Sequence, residues 1–273
     1  VACRNACMGT ANDPAASFDR SAVAYEQLVA LNRAGSRRLV AALPDETFAR
    51  VVDIGCGTGF ATMEVIARGG VREVIGVDPS RPMLDVFAGH LAAHPGVHAE
   101  LRAVDAVSTG VPGGSADLVI CTMALHWMPD RGAAIQEMAR VVRPGGVVAI
   151  LAPGEGHDRP TVDLMHAAGP PLSRLGDSIV SNEITLGWLS AALESVGLDA
   201  VDTWAEVRER AVPPGSIADR MDAVATHLWD DLPAPQQDDA PARLRAAFRA
   251  AADPDGLYRY RFVKTFAVAR QPA

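Results

Sequence analysis

Short apolar runs alternate with stretches of helical spacing through the middle of the chain. Val51, Val52 and Ile54 form a run broken only by Asp53, the pattern of a strand buried on both faces. Phe60 to Ala67 resumes with helical spacing. Val74 to Val77 repeats the buried-strand pattern, and His98 to Val104 is a weaker strand. Ala116 to Met123 and Val147 to Leu151 are further apolar runs. This order predicts an α/β fold with a doubly wound sheet. Upstream, Phe18, Ala22, Tyr25, Leu28 and Val29 share one face of a helix expected over Phe18 to Leu31. A second helix is expected from Gly35 to Leu43, ended by Pro44. Downstream, 153–182 reads as a Gly/Pro-rich loop with short helices and 183–196 as a helix closed by Gly197. Residues 198–212 read as a strand, 213–255 as a polar helical stretch and 257–270 as a final strand.

The first strand runs into Asp53-Ile54-Gly55-Cys56-Gly57-Thr58-Gly59. Glycines at alternate positions suit a tight turn where backbone passes close to a ligand. The last of them is one place early for the dinucleotide fingerprint, and Phe60 stands where glycine is wanted. Asp53 would repel a phosphate, so the loop suits a ligand with a positive end. Asp78 ends the second strand roughly 20 residues on, where Rossmann-like folds carry a carboxylate that accepts from both ribose hydroxyls. Asp78-Pro79-Ser80 also reads as a plain turn, with Ser80 a candidate helix cap. Right-handed crossovers bring Asp53 to Gly59, Asp78, Asp105 and Met123 to Trp127 to the carboxyl ends of the strands, beside the first.

These motifs, with Arg140-Val141-Val142-Arg143-Pro144-Gly145-Gly146 before an apolar strand, resemble the class I S-adenosylmethionine-dependent methyltransferases. Phe18 to Ala22, Tyr25-Glu26 and Leu125-His126-Trp127 resemble the branch holding malonyl-carrier-protein, trans-aconitate and other small-molecule methyltransferases. The resemblance implies a Rossmann-like, doubly wound, seven-stranded sheet, its last strand antiparallel and inserted, with N-terminal helices and a helical substrate cover. It implies S-adenosylmethionine as cofactor and S-adenosylhomocysteine as product. Asp53, Gly55, Cys56, Gly57 and Gly59 would form the cofactor loop, Asp78 and Pro79 the ribose site, and Met83, Asp105 and Ala106 the adenine site. Asp105 would accept from the adenine amino group or serve only as a turn residue. Met123 would offer backbone atoms, and Tyr25 would meet the methionine end or merely pack a helix. His126 would be either a general base or a histidine shaping the pocket, since relatives carry glutamine at that place. The Arg140 to Gly146 motif is structural: Gly145 and Gly146 are expected to turn a helix end sharply into the strand, and neither Arg140 nor Arg143 needs to touch ligand. A tail is expected over 1–17, a cofactor-binding core over 18–152, and a remainder over 153–273 whose segments 153–182 and 213–255 cover the acceptor.

Composition narrows the acceptor. The 273 residues carry a net charge of −8 and no Lys/Arg cluster, which argues against nucleic acid as substrate. No apolar run reaches membrane-spanning length, residues 1–17 lack a secretory pattern, and a cytoplasmic setting is expected. The four cysteines, Cys3, Cys7, Cys56 and Cys121, show neither a disulfide framework nor zinc spacing, and the histidines show no metal motif, so no metal is expected. His157, His166 and His227 receive no role. Arg208, Arg210, Arg259 and Arg261 could clamp a carboxylate or form a solvated face. The expected reaction is methyl transfer to oxygen, carbon or nitrogen of a small molecule. The alternatives are carboxyl methylation of an acyl group on a carrier protein, and a methyltransferase fold turned cyclase, hydroxylase or binding module. Oligomeric state is not legible.

Overall fold

The computed structural model describes residues 18–19, 30–225, 228–229 and 232–273. Helix α1 (Ala30–Ala42) precedes β1 (Arg50–Ile54), α2 (Phe60–Ala67), β2 (Glu73–Val77), α3 (Arg81–Leu91), β3 (His98–Arg102) and β4 (Ala116–Thr122). Then come α4 (Arg131–Val141), β5 (Val142–Pro153), α5 (Arg159–Ala168), α6 (Ser173–Ser181) and α7 (Leu186–Ser195). The chain closes with β6 (Asp199–Val212), α8 (Pro214–Ala225), α9 (Ala234–Ala250) and β7 (Tyr258–Arg270).

The seven strands lie in the order β3-β2-β1-β4-β5-β7-β6. Strands β1 to β5 are parallel, and β7 runs antiparallel between β5 and β6, as the sequence led us to expect. Alternation along the strands fills two separate layers. Val52, Ile54, Val119, Cys121, Val148 and Ile150 face Ile135 and Met138 of α4 and Leu189 and Leu193 of α7. Val51, Leu118, Ile120, Ala149 and Leu151 face Leu39 and Val40 of α1 and Ala61 and Val65 of α2. Burial on both faces explains why these strands read as continuous apolar runs. A further core joins Met165 (α5), Leu175 (α6), Ile217 and Met221 (α8), Leu244 and Phe248 (α9) and Tyr258, Tyr260 and Phe262 of β7. The two segments expected to cover the acceptor thus pack together and against the first half of the last strand.

Several boundaries differ from expectation, each for a local reason. The helix expected over 18–31 falls largely outside the described residues, and α1 already begins at Ala30 and runs through Gly35 unbroken. Gly35 lets Lys264 approach, since a Cβ there would lie 2.6 Å from its Nζ. Strand β3 stops at Arg102, freeing Val104 to line a cavity. The glycines of the Arg140 to Gly146 motif do not turn the helix end into the strand. Helix α4 passes straight into β5 at Val142, and Arg143 to Gly146 form a bulge between the pairs Ala116–Val142 and Leu118–Val147. Gly146 is required there because a Cβ would lie 2.9 Å from the Arg143 carbonyl oxygen and 3.0 Å from that of Ala116. The arginines brace this corner: Arg140 bonds Glu137 (2.6 Å) and the Val111 carbonyl (2.7 Å), and Arg143 bonds Asp117 (2.6 Å).

Candidate functional site

Two adjoining cavities open at the carboxyl ends of the strands, where β1 meets β4 and the strand order reverses. The first, of about 300 Å³, is lined by Gly55, Cys56 and Gly57 after β1, Asp78 and Pro79 after β2, Met83 on α3, Asp105 and Ala106 after β3, and Met123 after β4. These are nine of the expected cofactor residues. Tyr25 lies outside the described residues. Asp53 and Gly59 do not line the cavity, and their positions explain why.

Asp53 shares its strand face with Val51, so it points toward α2. It is 1% exposed, accepts from the Thr62 hydroxyl at 2.6 Å, and leaves Oδ1 without a partner. Burial pushes its carboxyl up to about 7, the Thr62 bond opposes this, and the Asp78 charge adds to it. Gly59, at φ 79°, starts α2 with a Cβ position 1.9 Å from the Phe87 ring, so this glycine serves helix packing. Gly57, at φ 51°, has open space around its Cβ position, as a turn facing a ligand requires. The loop is pinned to β2: Gly55 and Cys56 donate to the Val77 carbonyl (2.7 and 3.0 Å), and Gly57 donates to Asp78 Oδ2 (2.8 Å). Asp78 Oδ1 accepts from the Ser80 amide (2.9 Å), and burial raises this carboxyl despite both backbone bonds. Ser80 caps α3, accepting from the Met83 amide at 3.4 Å, and donates to Asp19. Burial, with the Asp53 charge, pushes the Cys56 thiol well up, so it stays protonated and unreactive.

The second cavity, of about 130 Å³, shares Phe18, Asn32, Met123 and Trp127 with the first. Met123 holds φ 53°, uncommon for a residue with a side chain, and its amide donates to the Leu151 carbonyl at 2.7 Å. Phe18 stands edge-on to Trp127, ring centroids 5.7 Å apart. His126 lines the second cavity and not the first, on the 3₁₀ turn Leu125–Trp127. Burial, then the charges of His157 and Arg131, holds His126 well below the usual imidazole value, and its Nδ1 has no partner. Arg131 fixes the turn by donating to the His126 carbonyl (3.0 Å) and to the Ser181 carbonyl at the end of α6 (2.9 Å).

Both expected cover segments reach this cavity, through His157, Asp158, Leu175 and Ile179 on one side and Arg220 and Met221 on the other. His157 Nδ1 bonds the Val263 carbonyl at 2.8 Å, and burial lowers its pKa to about 4. Asp158 is fully buried at φ 50°, accepts from Thr161 at 2.8 Å through Oδ1, and leaves Oδ2 without a partner. Burial pushes it up to about 6. Arg220 lies over the Tyr260 and Phe262 rings, at 5.1 and 5.0 Å, with Nη2 unpartnered. The sequence reading missed Asp158 and Arg220 and gave His157 no role. The available signal was position, because Asp158 follows directly on the expected strand end and a Gly-rich turn. Arg208, Arg210, Arg259 and Arg261 line neither cavity; Arg208 pairs with Glu206 (3.3 Å) and Arg259 with Asp253 (2.6 Å) on the surface. No cluster of three metal-ligating side chains occurs among the described residues, and none of their helices is long and apolar enough to cross a membrane.

This arrangement is a Rossmann-like fold with two adjoining cavities at its strand ends, and the comparisons place that fold in a family. Residues 51–146 match the family described as a methyltransferase domain. The chain is 31% identical over 243 residues to trans-aconitate 2-methyltransferase of Azoarcus sp. (strain BH72), covering 86% of this chain and 92% of that one. It is 36% identical over 142 residues to malonyl-[acyl-carrier protein] O-methyltransferase of Salmonella typhimurium, covering 52% of this chain and 54% of that one. Among solved structures, the YcgJ protein of Bacillus subtilis matches with a TM-score of 0.61 at 20% identity, covering 88% of this chain and 99% of the other. The chain belongs to the S-adenosylmethionine-dependent methyltransferases.

Proposed function

We propose that the first cavity binds S-adenosylmethionine and that the second holds a small-molecule acceptor whose nucleophile meets the methyl group at the shared wall of Met123 and Trp127. The observation that carries this reading is the junction itself: a glycine-loop cavity opens beside a chamber built from both cover segments. The residues fit the cofactor. Asp78 offers carboxylate lone pairs beyond the two backbone bonds it already accepts, for a ribose. Met83, Pro79 and Ala106 give the adenine an apolar bed, with Asp105 at its edge. The Asp78 carboxylate favours a ligand with positive charge, and Asp53 beneath the loop, with one oxygen unpartnered, adds to this as it loses its proton. When bound, the sulfonium supplies an electrophilic methyl group.

The protein's own work is alignment and exclusion of water. Phe18 and Trp127 wall the junction, and Arg131 holds the turn that carries His126. A carboxylate acceptor needs no base, whereas a hydroxyl or acidic carbon does. His126 is neutral at physiological pH and stands at the strand end, so we assign it proton acceptance for such a nucleophile and wall-building for a carboxylate.

Similarity to a trans-aconitate methyltransferase covers 86% of this chain, against 52% for a carrier-protein methyltransferase, which supports a small acceptor over a carrier-bound one. Calorimetric titration with S-adenosylhomocysteine tests the first cavity. Incubation with labelled S-adenosylmethionine and a metabolite extract, followed by mass spectrometry, tests the second. Absence of binding overturns the cofactor assignment, and label found only on protein overturns the small acceptor.

A further inference from the structure

The polar atoms of the second cavity describe its occupant. Among the described residues, its charged or titratable lining side chains are His126, His157, Asp158 and Arg220, which give one cation and one anion. Three of them bring a sealed polar atom with no hydrogen-bond partner: His126 Nδ1, Asp158 Oδ2 and Arg220 Nη2. Buried polar atoms are almost always satisfied, and leaving one unmade is costly. All three belong to residues that line this chamber and lie just behind its surface, so an occupant that reaches them gains those bonds. Arg220 and Asp158 sense each other's charge but form no ion pair. The neighbouring cations are already engaged, Arg131 by the His126 and Ser181 carbonyls and Lys264 by Asn32.

Resting on the methyl-transfer reading above, we propose that the acceptor is a small monocarboxylic acid with an apolar body and one hydrogen-bond-donating group, a hydroxyl or an ammonium. Its carboxylate is anchored by Arg220 and its donor by Asp158. A guanidinium nitrogen without a partner, such as Arg220 Nη2, is matched to a carboxylate oxygen. A carboxylate oxygen with a free lone pair is matched to a hydroxyl or ammonium. Leu175, Ile179, Met221 and Phe262 supply the apolar wall for the rest of the molecule. The balance of one cation and one anion also decides what is rejected. A tricarboxylate would present three negative charges to a single unpaired cation, and one of them would face Asp158. On this ground the chamber differs from one built for trans-aconitate, in spite of the similarity to enzymes of that name.

The test uses the whole chain saturated with S-adenosylhomocysteine, so that cofactor binding is verified before any acid is added; failure at that stage sinks the site reading itself. Four probes are then titrated by calorimetry: 3-phenyllactate, phenylalanine, 3-phenylpropionate and trans-aconitate. Tighter binding of phenyllactate or phenylalanine than of phenylpropionate and trans-aconitate is expected, and which of the two binds better distinguishes hydroxyl from ammonium. Arg220→Gln should weaken the preferred acid roughly tenfold or more, the scale of one charge-assisted hydrogen bond. Asp158→Asn, tolerated at a left-handed position, should erase the preference over phenylpropionate and improve trans-aconitate binding. Binding of none of the acids, a parent preference for trans-aconitate, or unchanged affinity in Arg220→Gln would overturn the proposal. Undiminished S-adenosylhomocysteine affinity in each variant guards against misfolding.

Discussion

Gly57 and Gly59 lie two residues apart in one loop, both left-handed, yet substitution should damage different properties. In Gly59→Ala the new methyl would sit 1.9 Å from Cδ2 and 2.1 Å from Cε2 of Phe87, whose side chain is itself fully buried. Phe87 cannot swing into solvent, so α2 and α3 must separate. Overpacking of this kind costs about 1–3 kcal/mol. The left-handed backbone adds about 1–2 kcal/mol. The sum, about 2–5 kcal/mol, lowers Tm by roughly 4–20 °C at about 2–4 °C per kcal/mol for a large domain. In Gly57→Ala the methyl meets nothing within 4 Å, so only the backbone cost of about 1–2 kcal/mol applies. That methyl projects at the cavity, however, and should block the cofactor. Thermal unfolding without ligand, paired with S-adenosylhomocysteine titration, reads both properties. Equal Tm losses in the two variants would refute the packing role of Gly59. Unimpaired titration of Gly57→Ala would refute the close approach of loop and ligand.

Three further outcomes follow from the buried ionisable groups. Asp78→Asn removes the charge while keeping one acceptor, and should weaken S-adenosylhomocysteine roughly 10–100-fold, as loss of hydrogen bonds to a charged group implies; an unchanged dissociation constant refutes the ribose assignment. Asp53 titrates near 7 folded against 3.8 unfolded, so the folded state holds the extra proton and this group erodes stability as pH rises between those values. The stability of Asp53→Asn relative to the parent should therefore climb by about 1.4 kcal/mol per pH unit from pH 4 to 7 and level off above, as read by urea denaturation; parallel profiles count against a protonated Asp53. His157 works in the opposite sense: it titrates near 4 folded against 6.5 unfolded, so its stabilisation is lost as pH falls through that window, and His157→Gln should abolish this share of the fall.

The parallel half of the fold was legible because strands buried on both faces leave unbroken apolar runs, and strand ends rich in Asp and Gly mark their carboxyl edges. Asp53 shows where pattern alone falls short. Its place in the motif was plain, but strand alternation turns the side chain down onto Thr62, beneath the cavity rather than into it. Gly59 likewise belongs to the motif and serves Phe87, a contact between residues too far apart in sequence to announce itself. Gly145 and Gly146 looked like the exit of a helix and instead form a bulge, because the pairing of Ala116 with Val142 draws the strand start forward. Asp158 and Arg220 were invisible as a pair: they sit on separate cover segments and meet only once those segments pack around β7.

The placement of β7 has a bearing on the order in which the molecule matures during synthesis. Every described residue lining the glycine-loop cavity lies at or before Pro129, and the parallel strands are complete by Pro153. The second cavity needs Phe262, on a strand that must slide between two already translated partners, β5 and β6. Until it arrives, both of those strands present open edges, the situation in which nascent chains self-associate. On the cofactor assignment proposed above, a ribosome-bound chain would complete the first cavity early, and early capture of its ligand would steady the nascent sheet during the interval before its last strand is threaded home.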